Sequence, residues 1–235
     1  MKSTYKQFCP VAMAAEILGS RWNILIIREL CLGSTRFNEL KKGLPKLSPT
    51  LLSRRLKELE DHGVLNKMPT SKNKKSTEYK LTQSGAELLD VIISIGTWGK
   101  RWIDQKLNLE NSDVGLLMWD IRRNIQMDMF PLKQATVEFS FSDIEGKKST
   151  WWIILDEQSS PDVGPIEPAT SVDLYVSCSV SALTEFWLGN MGLDEALKKD
   201  QIKLDGAPKL ISSFGNWIGK SNFSHVKTLP QTLVA

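Results

Sequence analysis

The chain is poor in the side chains that most often build metal centres and disulfide frameworks. It has two histidines, His62 and His225, which excludes a histidine-rich zinc site. Its three cysteines, Cys9, Cys31 and Cys178, lie far apart with no metal-ligand spacing. Their odd number argues against a secreted disulfide scaffold. No apolar run approaches the roughly 20 residues a membrane span needs, and no basic leader precedes an apolar stretch. These absences predict a cytoplasmic protein with no metal and no membrane partner. A catalytic set is missing as well. Asp128, Asp143, Asp156 and Asp173 are scattered, and no glycine-rich phosphate loop follows a strand. Ser177, Cys178 and Ser179 are nucleophile types, but no histidine lies near them in sequence. No catalytic residue is assigned, no cofactor is expected, and the chain does not read as an enzyme.

What is present is a globular composition, 41% apolar and 24% charged, in 235 residues, enough for two ordinary cores. The formal net charge of +3 conceals a division. Residues 1–110 carry 19 Lys and Arg against 11 Asp and Glu, and the remainder carries 11 against 16. A basic half gains from contact with a polyanion and an acidic half is repelled by it, so the halves have different partners. The expected domains are 9–107 and 111–235.

In the first half, Val11–Leu18 reads as a helix entered through Pro10. A second helix over Arg21–Leu32, with Ser20 as its cap, carries Trp22, Leu25, Ile26 and Leu30 at helical spacing. A third covers Thr35–Gly43. The fourth is the most informative. Ser48 is a cap type, Pro49 takes the first helical position, and Gly63 supplies the stop. At about 100° per residue, Leu52, Leu56 and Leu59 gather on one side and Thr50, Ser53, Arg54, Lys57 and Asp61 on the other. Arg55 falls at the edge of the apolar side. Hydroxyls beside long cations suit a duplex groove, where they reach base edges and phosphates. Two strands, Val64–Met68 and Thr77–Leu81, then flank a tip holding Lys72, Lys74 and Lys75, the pattern of a wing that tracks phosphates. Thr82 caps a long helix, Gln83–Leu107, with Leu88, Ile92, Ile95 and Trp102 on one stripe and Leu89 and Ile93 beside it. So wide a stripe predicts a dimerisation element, the alternative being burial against the chain's own second domain.

The first half resembles the HxlR-type family of bacterial winged-helix regulators, relatives of the MarR group. The matching pieces run from Cys9-Pro10-Val11 through Gly19-Ser20-Arg21-Trp22 and Arg36-Phe37-Asn38-Glu39-Leu40. They continue with Leu47-Ser48-Pro49, Leu52-Ser53-Arg54-Arg55-Leu56, Gly63, Glu78-Tyr79 and Leu81-Thr82. The resemblance implies a homodimer that binds double-stranded DNA through Pro49–Asp61. The expected DNA-contacting set is Arg36, Ser48, Thr50, Ser53, Arg54, Arg55, Lys57, Lys72, Lys74 and Lys75. Some members of the family use a cysteine matching Cys9 as a sensor of oxidants or electrophiles, which makes Cys9 a candidate redox residue. Its place at the start of the first helix, near Lys6, suits that role, and a small buried cysteine is the plainer alternative.

The second half reads as α+β. A helix is expected over Asp113–Met129, strands over Val137–Phe141, Thr150–Leu155 and Ser171–Ser177, and a Pro- and Gly-marked loop around Pro161–Pro168. Val172–Val176, Ser181–Gly189, Leu193–Leu197, Ile202–Leu204 and Pro208–Leu210 resemble the sterol-carrier-like lipid-binding fold fused to some regulators of this type. Five tryptophans, Trp119, Trp151, Trp152, Trp187 and Trp217, fall here. Most fill a core, and a few are candidates to line an apolar pocket for a small-molecule effector, Trp187 with Ser177 foremost. The function expected is a sequence-specific transcriptional regulator modulated by an apolar molecule or by thiol modification. The alternatives are a winged-helix protein-interaction module and a carrier or enzyme for hydrophobic molecules.

Overall fold

Pro10 and Pro49 each open a helix, where a missing amide donor costs nothing. A computed structural model describes residues 4–70, 73–103 and 113–229, with the side chains of 70–76 outside the description. The chain divides into two compact units, Met1–Gly96 and Thr97–Ala235, which part within one helix.

The first unit runs α1 (Pro10–Leu18), α2 (Asn23–Cys31), α3 (Phe37–Gly43) and α4 (Pro49–Asp61). The antiparallel strands β1 (Leu65–Thr70) and β2 (Asn73–Leu81) follow, and then α5 (Gln83–Trp102). Helix α2 starts later than the sequence pattern suggests. Trp22 is left-handed at φ 84°, which breaks the helix before Asn23, and Ser20 makes no side-chain cap. The Asn23 side chain instead donates to the Ile17 carbonyl at 2.7 Å and ties α1 to α2. Ile26, Ile27, Leu40, Leu52, Leu56 and Leu59 form the buried centre. At the base of the wing, the Thr82 hydroxyl accepts from Gly85 N (3.2 Å) and donates to the Gly63 carbonyl (2.6 Å), so one side chain caps α5 and holds the α4–β1 corner.

The second unit begins with the end of α5. It continues with α6 (Val114–Asn124), β3 (Gln134–Phe141), β4 (Thr150–Asp156), β5 (Asp162–Gly164) and β6 (Leu174–Cys178). Helices α7 (Val180–Trp187) and α8 (Leu193–Lys198), strand β7 (Ile202–Gly206) and helix α9 (Pro208–Trp217) complete it. The five strands form one sheet in the order β5-β4-β3-β6-β7, with β3 and β6 parallel and the other pairs antiparallel. Alternation puts Val137, Phe139, Ile153, Leu155, Leu174 and Val176 in the core with Phe186, Phe214 and Trp217 of the helices. The other face carries Glu138, Trp152, Ile154 and Tyr175, which are half-buried or exposed.

Several boundaries differ from expectation, β3 among them, which starts at Gln134 and not at Val137. Asp113 caps α6 through Leu116 N at 3.1 Å, but the helix ends at Asn124 because Ile125 is extended (ψ 127°) and Gln126 N donates to the Trp217 carbonyl. A one-turn 3-10 segment, Met127–Met129, is all that follows. The stretch expected as loop contains β5, an edge strand three residues long. Strand β6 starts at Leu174, since Asp173 is used to accept from Thr136 N at 2.8 Å.

Candidate nucleic-acid interface

Helix α4 is fixed from both ends. The Ser48 hydroxyl accepts from Leu51 N at 3.3 Å, and Gly63, at φ +69°, lets the chain turn away. With Leu52, Leu56 and Leu59 buried, the helix has one rotational setting, and Thr50, Ser53, Arg54, Lys57 and Asp61 are exposed together. Ser48 is exposed as well, but its hydroxyl already serves as the cap.

The cations on this face are held loosely. Arg54, with a side chain 64% exposed, reaches Glu58 at 3.9 Å. Lys57 lies 2.9 Å from Asp61 and 3.3 Å from Glu60. Hydrogen bonding to Asp61 and then to Glu60 pushes its ammonium group up from the ordinary lysine value, so it stays charged. Exposed i,i+3 and i,i+4 pairs of this kind are worth about 0.2–0.5 kcal/mol each, little against exchange for phosphate partners. Arg55 is placed differently. Its side chain is 17% exposed, one guanidinium nitrogen lies 2.5 Å from Glu58, and its buried Nε has no hydrogen-bond partner. The structure thus separates Arg55 from the outward face and gives it to the helix's inner flank.

The wing is anchored by the segment before α3. Tyr79 N donates to the Thr35 carbonyl at 2.7 Å, Arg36 and Glu78 form a β-bridge, and their side chains approach to 4.0 Å. Glu39 reaches back to Thr35 N (2.9 Å) and Arg36 N (3.0 Å), which fixes the start of α3 and leaves Arg36 exposed beside the wing base. Lys72 lies outside the described residues, and the side chains of Lys74 and Lys75 are likewise outside the description. Two further exposed lysines were not singled out from the pattern: Lys46 just before α4, and Lys67 on β1.

The remaining expected site residues are dispersed. Cys9 is exposed at the head of α1, where its carbonyl accepts from Met13 N. Ser177 is exposed and lines a polar cleft of 420 Å³ beside α7. Trp187 is 8% exposed and belongs to the core, not to that cleft. Cys178 is buried, and burial, with the Asp143 charge adding to it, pushes its thiol up to about 12, which makes it a poor nucleophile. Ser179 is spent as the cap of α7, accepting from Ala182 N at 3.0 Å. No group of three or more His, Cys, Asp or Glu side chains suited to a metal occurs among the described residues.

Three packed helices, a capped helix with an outward polar and basic face, and a two-stranded wing define a DNA-binding protein of the winged helix-turn-helix class. A family model for HxlR-like helix-turn-helix proteins matches residues 17–107. The uncharacterized HTH-type transcriptional regulator YvaP of Bacillus subtilis (strain 168) is 40% identical over 99 residues, which cover 42% of this chain and 92% of the relative. A second uncharacterized HTH-type transcriptional regulator, from Synechocystis, is 35% identical over 98 residues, 42% of this chain and 73% of that one. YdeP of Bacillus subtilis, an HTH-type transcriptional regulator also called uncharacterized, is 34% identical over 102 residues, 43% of this chain and 80% of its own. The chain belongs to the HxlR-like helix-turn-helix family. What the family match identifies is a regulatory module, and these matches span about four-tenths of the chain.

Proposed function

We propose that the chain is a cytoplasmic, homodimeric transcriptional regulator that reads a two-fold operator and carries its own effector domain. The observation that carries the reading is the outward face of α4, where Thr50, Ser53 and Arg54 stand free of the core beside Lys57. In a dimer, two such helices enter major grooves about one helical turn apart, roughly 34–36 Å. Arg36 and the wing lysines Lys72, Lys74 and Lys75 follow the phosphates. The exposed apolar side chains of α5, Leu89, Val91, Ile93 and Ile95, supply the dimer surface.

The second unit is read as a sterol-carrier-like domain for an apolar small molecule. Support comes from the succession of β6, α7, the Asp-bearing α8, β7 and α9, and from an aromatic core between one sheet face and the helices. The exposed Cys9 is the site proposed for thiol modification. The regulator needs no chemistry, only two states of unequal affinity for the duplex.

Selection of bound duplexes from a random library, followed by competition with the recovered site, tests the central reading. The recovered site is expected to compete at least roughly 1,000-fold better than random duplex at physiological salt. Failure to enrich any sequence at low salt would overturn it.

A further inference from the structure

The 420 Å³ cleft in the second unit lies where the end of β6 meets α7, and polar side chains line it together with Cys178, Ala182 and Met191. Ser142, Ser177 and Ser181 line it with Glu185, Asp200 and Lys203, the Ser142 hydroxyl also donating to the Cys178 carbonyl at 3.4 Å. Lys203 is opposed by Asp200 at 3.7 Å. Glu185 is the second carboxylate of the lining, and no ion pair to it occurs among the described residues, so the lining side chains together carry one net negative charge. A carboxylate in that setting recognises an ammonium group, and the serines recognise hydroxyls.

Glu185 also belongs to a second structure. Its carbonyl accepts from Asn190 N (2.9 Å) and Met191 N (3.3 Å), closing the loop that follows α7. Gly189 within that loop, at φ +74°, is pressed against the Ser224 carbonyl, where a Cβ would stand 2.5 Å away. The Asn190 side chain in turn accepts from Lys100, a buried lysine near the end of α5. Burial lowers the Lys100 ammonium from its ordinary value, and the Glu185 charge opposes that shift. The tail grips the same turn of α5: Thr228 Oγ1 donates to the Lys100 carbonyl at 3.1 Å and Leu229 N to that of Arg101 at 2.8 Å. Glu185 therefore both lines the cleft and, through its carbonyl and Asn190, is tied to the joint that holds α5.

We propose that this cleft is an effector site, separate from the apolar core, that takes a small hydroxylated amine and reports its presence to the end of α5. The proposal rests on the reading of the second unit as a regulatory domain. A bound ammonium group draws on the Glu185 charge that otherwise serves Lys100, and the loop through Asn190 carries the change to the helix. Such coupling requires only that ligand-bound and free states hold α5 differently.

The test uses the full-length chain, calorimetric titration, and two probes, D-glucosamine and serinol. N-acetylglucosamine, which keeps hydroxyls and loses the charge, is the control. At least one amine should bind saturably with Kd below about 1 mM. Glu185→Gln and Ser181→Gln should each weaken it by roughly tenfold or more. Ser181 is exposed and does not touch the Lys100 joint, so its variant preserves the test if Glu185→Gln does not fold. Amide exchange across residues 97–103 should change when the amine binds. Lys100→Met should retain binding and lose that change. The proposal is overturned if neither amine saturates, if N-acetylglucosamine binds as well, if Ser181→Gln binds unchanged, or if exchange in α5 does not respond. None of these readouts involves DNA, so a failure to bind operator strikes the regulator reading and leaves this result standing.

Discussion

Gly85 in the first turn of α5 lies against the Val64 carbonyl so closely that a Cβ would stand 2.0 Å from the oxygen. The same carbonyl accepts from Thr82 N at 3.1 Å, so the start of α5 and the start of the wing are packed backbone to backbone. Replacing a helical glycine by alanine ordinarily stabilises by about 0.8–1 kcal/mol. Here the overlap is with a fixed backbone atom, and overpacking of that kind costs about 1–3 kcal/mol. Gly85→Ala is expected to lower the urea midpoint with the m-value unchanged. A higher midpoint would mean that the backbone yields and that helix propensity decides the outcome.

Specificity and affinity should separate by residue. Thr50→Ala, Ser53→Ala and Arg54→Ala are expected to relax base preference, with a loss of about 1–3 kcal/mol where a bidentate base contact disappears. Lys74→Ala and Lys75→Ala should weaken all sequences alike and reduce the salt dependence by about one unit per phosphate contact. Arg55→Ala, placed on the inner flank beside Glu58, should cost stability and leave base preference intact. Titrations of selected and random duplexes across a salt series check all three. Equal losses on both duplexes for every variant would refute the assignment of the outward face.

Most of the first unit was legible because short-range rules decide it. Ser48, Pro49 and Gly63 bracket α4 in sequence as they do in space, and three leucines at helical spacing fix which side faces out. Arg55 was ambiguous at the edge of the apolar side, and only the packed helix shows that Glu58 claims it. What local pattern missed was set by distant partners. Asn124 ends α6 because Gln126 bonds to Trp217, 91 positions away, and β5 exists only as an edge partner of β4. The aromatics of the second half were expected mostly to fill a core, and Phe139, Phe186, Phe214 and Trp217 are fully buried there. The polar cleft joins residues from separate strands and helices, and no spacing in the chain announces it.

The cysteines should differ sharply in reactivity. In the native protein, exposed Cys9 is expected to alkylate readily and buried Cys178 only on unfolding. The raised thiol of Cys178 also carries a pH consequence. The unfolded chain ionises near the ordinary value of 9.0 and the folded chain only near about 12. The unfolded state therefore loses its proton first, and this contribution to stability is intact below pH 9.0 and lost progressively as pH rises through that window. Urea midpoints at increasing alkaline pH should fall more steeply for wild type than for Cys178→Val. Parallel slopes would show that Cys178 does not contribute. For Cys9, Cys9→Ser should abolish any response of operator affinity to mild oxidant, and an unchanged response would remove it from regulation.

The last prediction concerns α5. Leu88 and Ile92 turn inward and pack on the core of the first unit, whereas Leu89, Val91, Ile93, Ile95 and Trp98 are each 42–59% exposed. At about 100° per residue Leu89 and Ile93 form one exposed apolar strip and Val91 and Ile95 another, on either side of Leu88 and Ile92, and burial of each side chain is worth about 1.5–3 kcal/mol. A second copy of the helix, related by a two-fold axis, buries such a surface with itself, because an isologous interface needs one self-complementary patch. Leu89→Asp with Ile93→Asp puts two charges on that patch and leaves Leu88 and Ile92 untouched. The double variant is expected to sediment as a monomer at micromolar concentration where wild type is a dimer, with its thermal unfolding still cooperative. Operator affinity should fall with it, since a single recognition helix reads one half-site. If the variant remains dimeric, the dimer surface lies elsewhere. If it is monomeric and still binds the full operator as tightly as wild type, the two-fold reading of DNA is wrong.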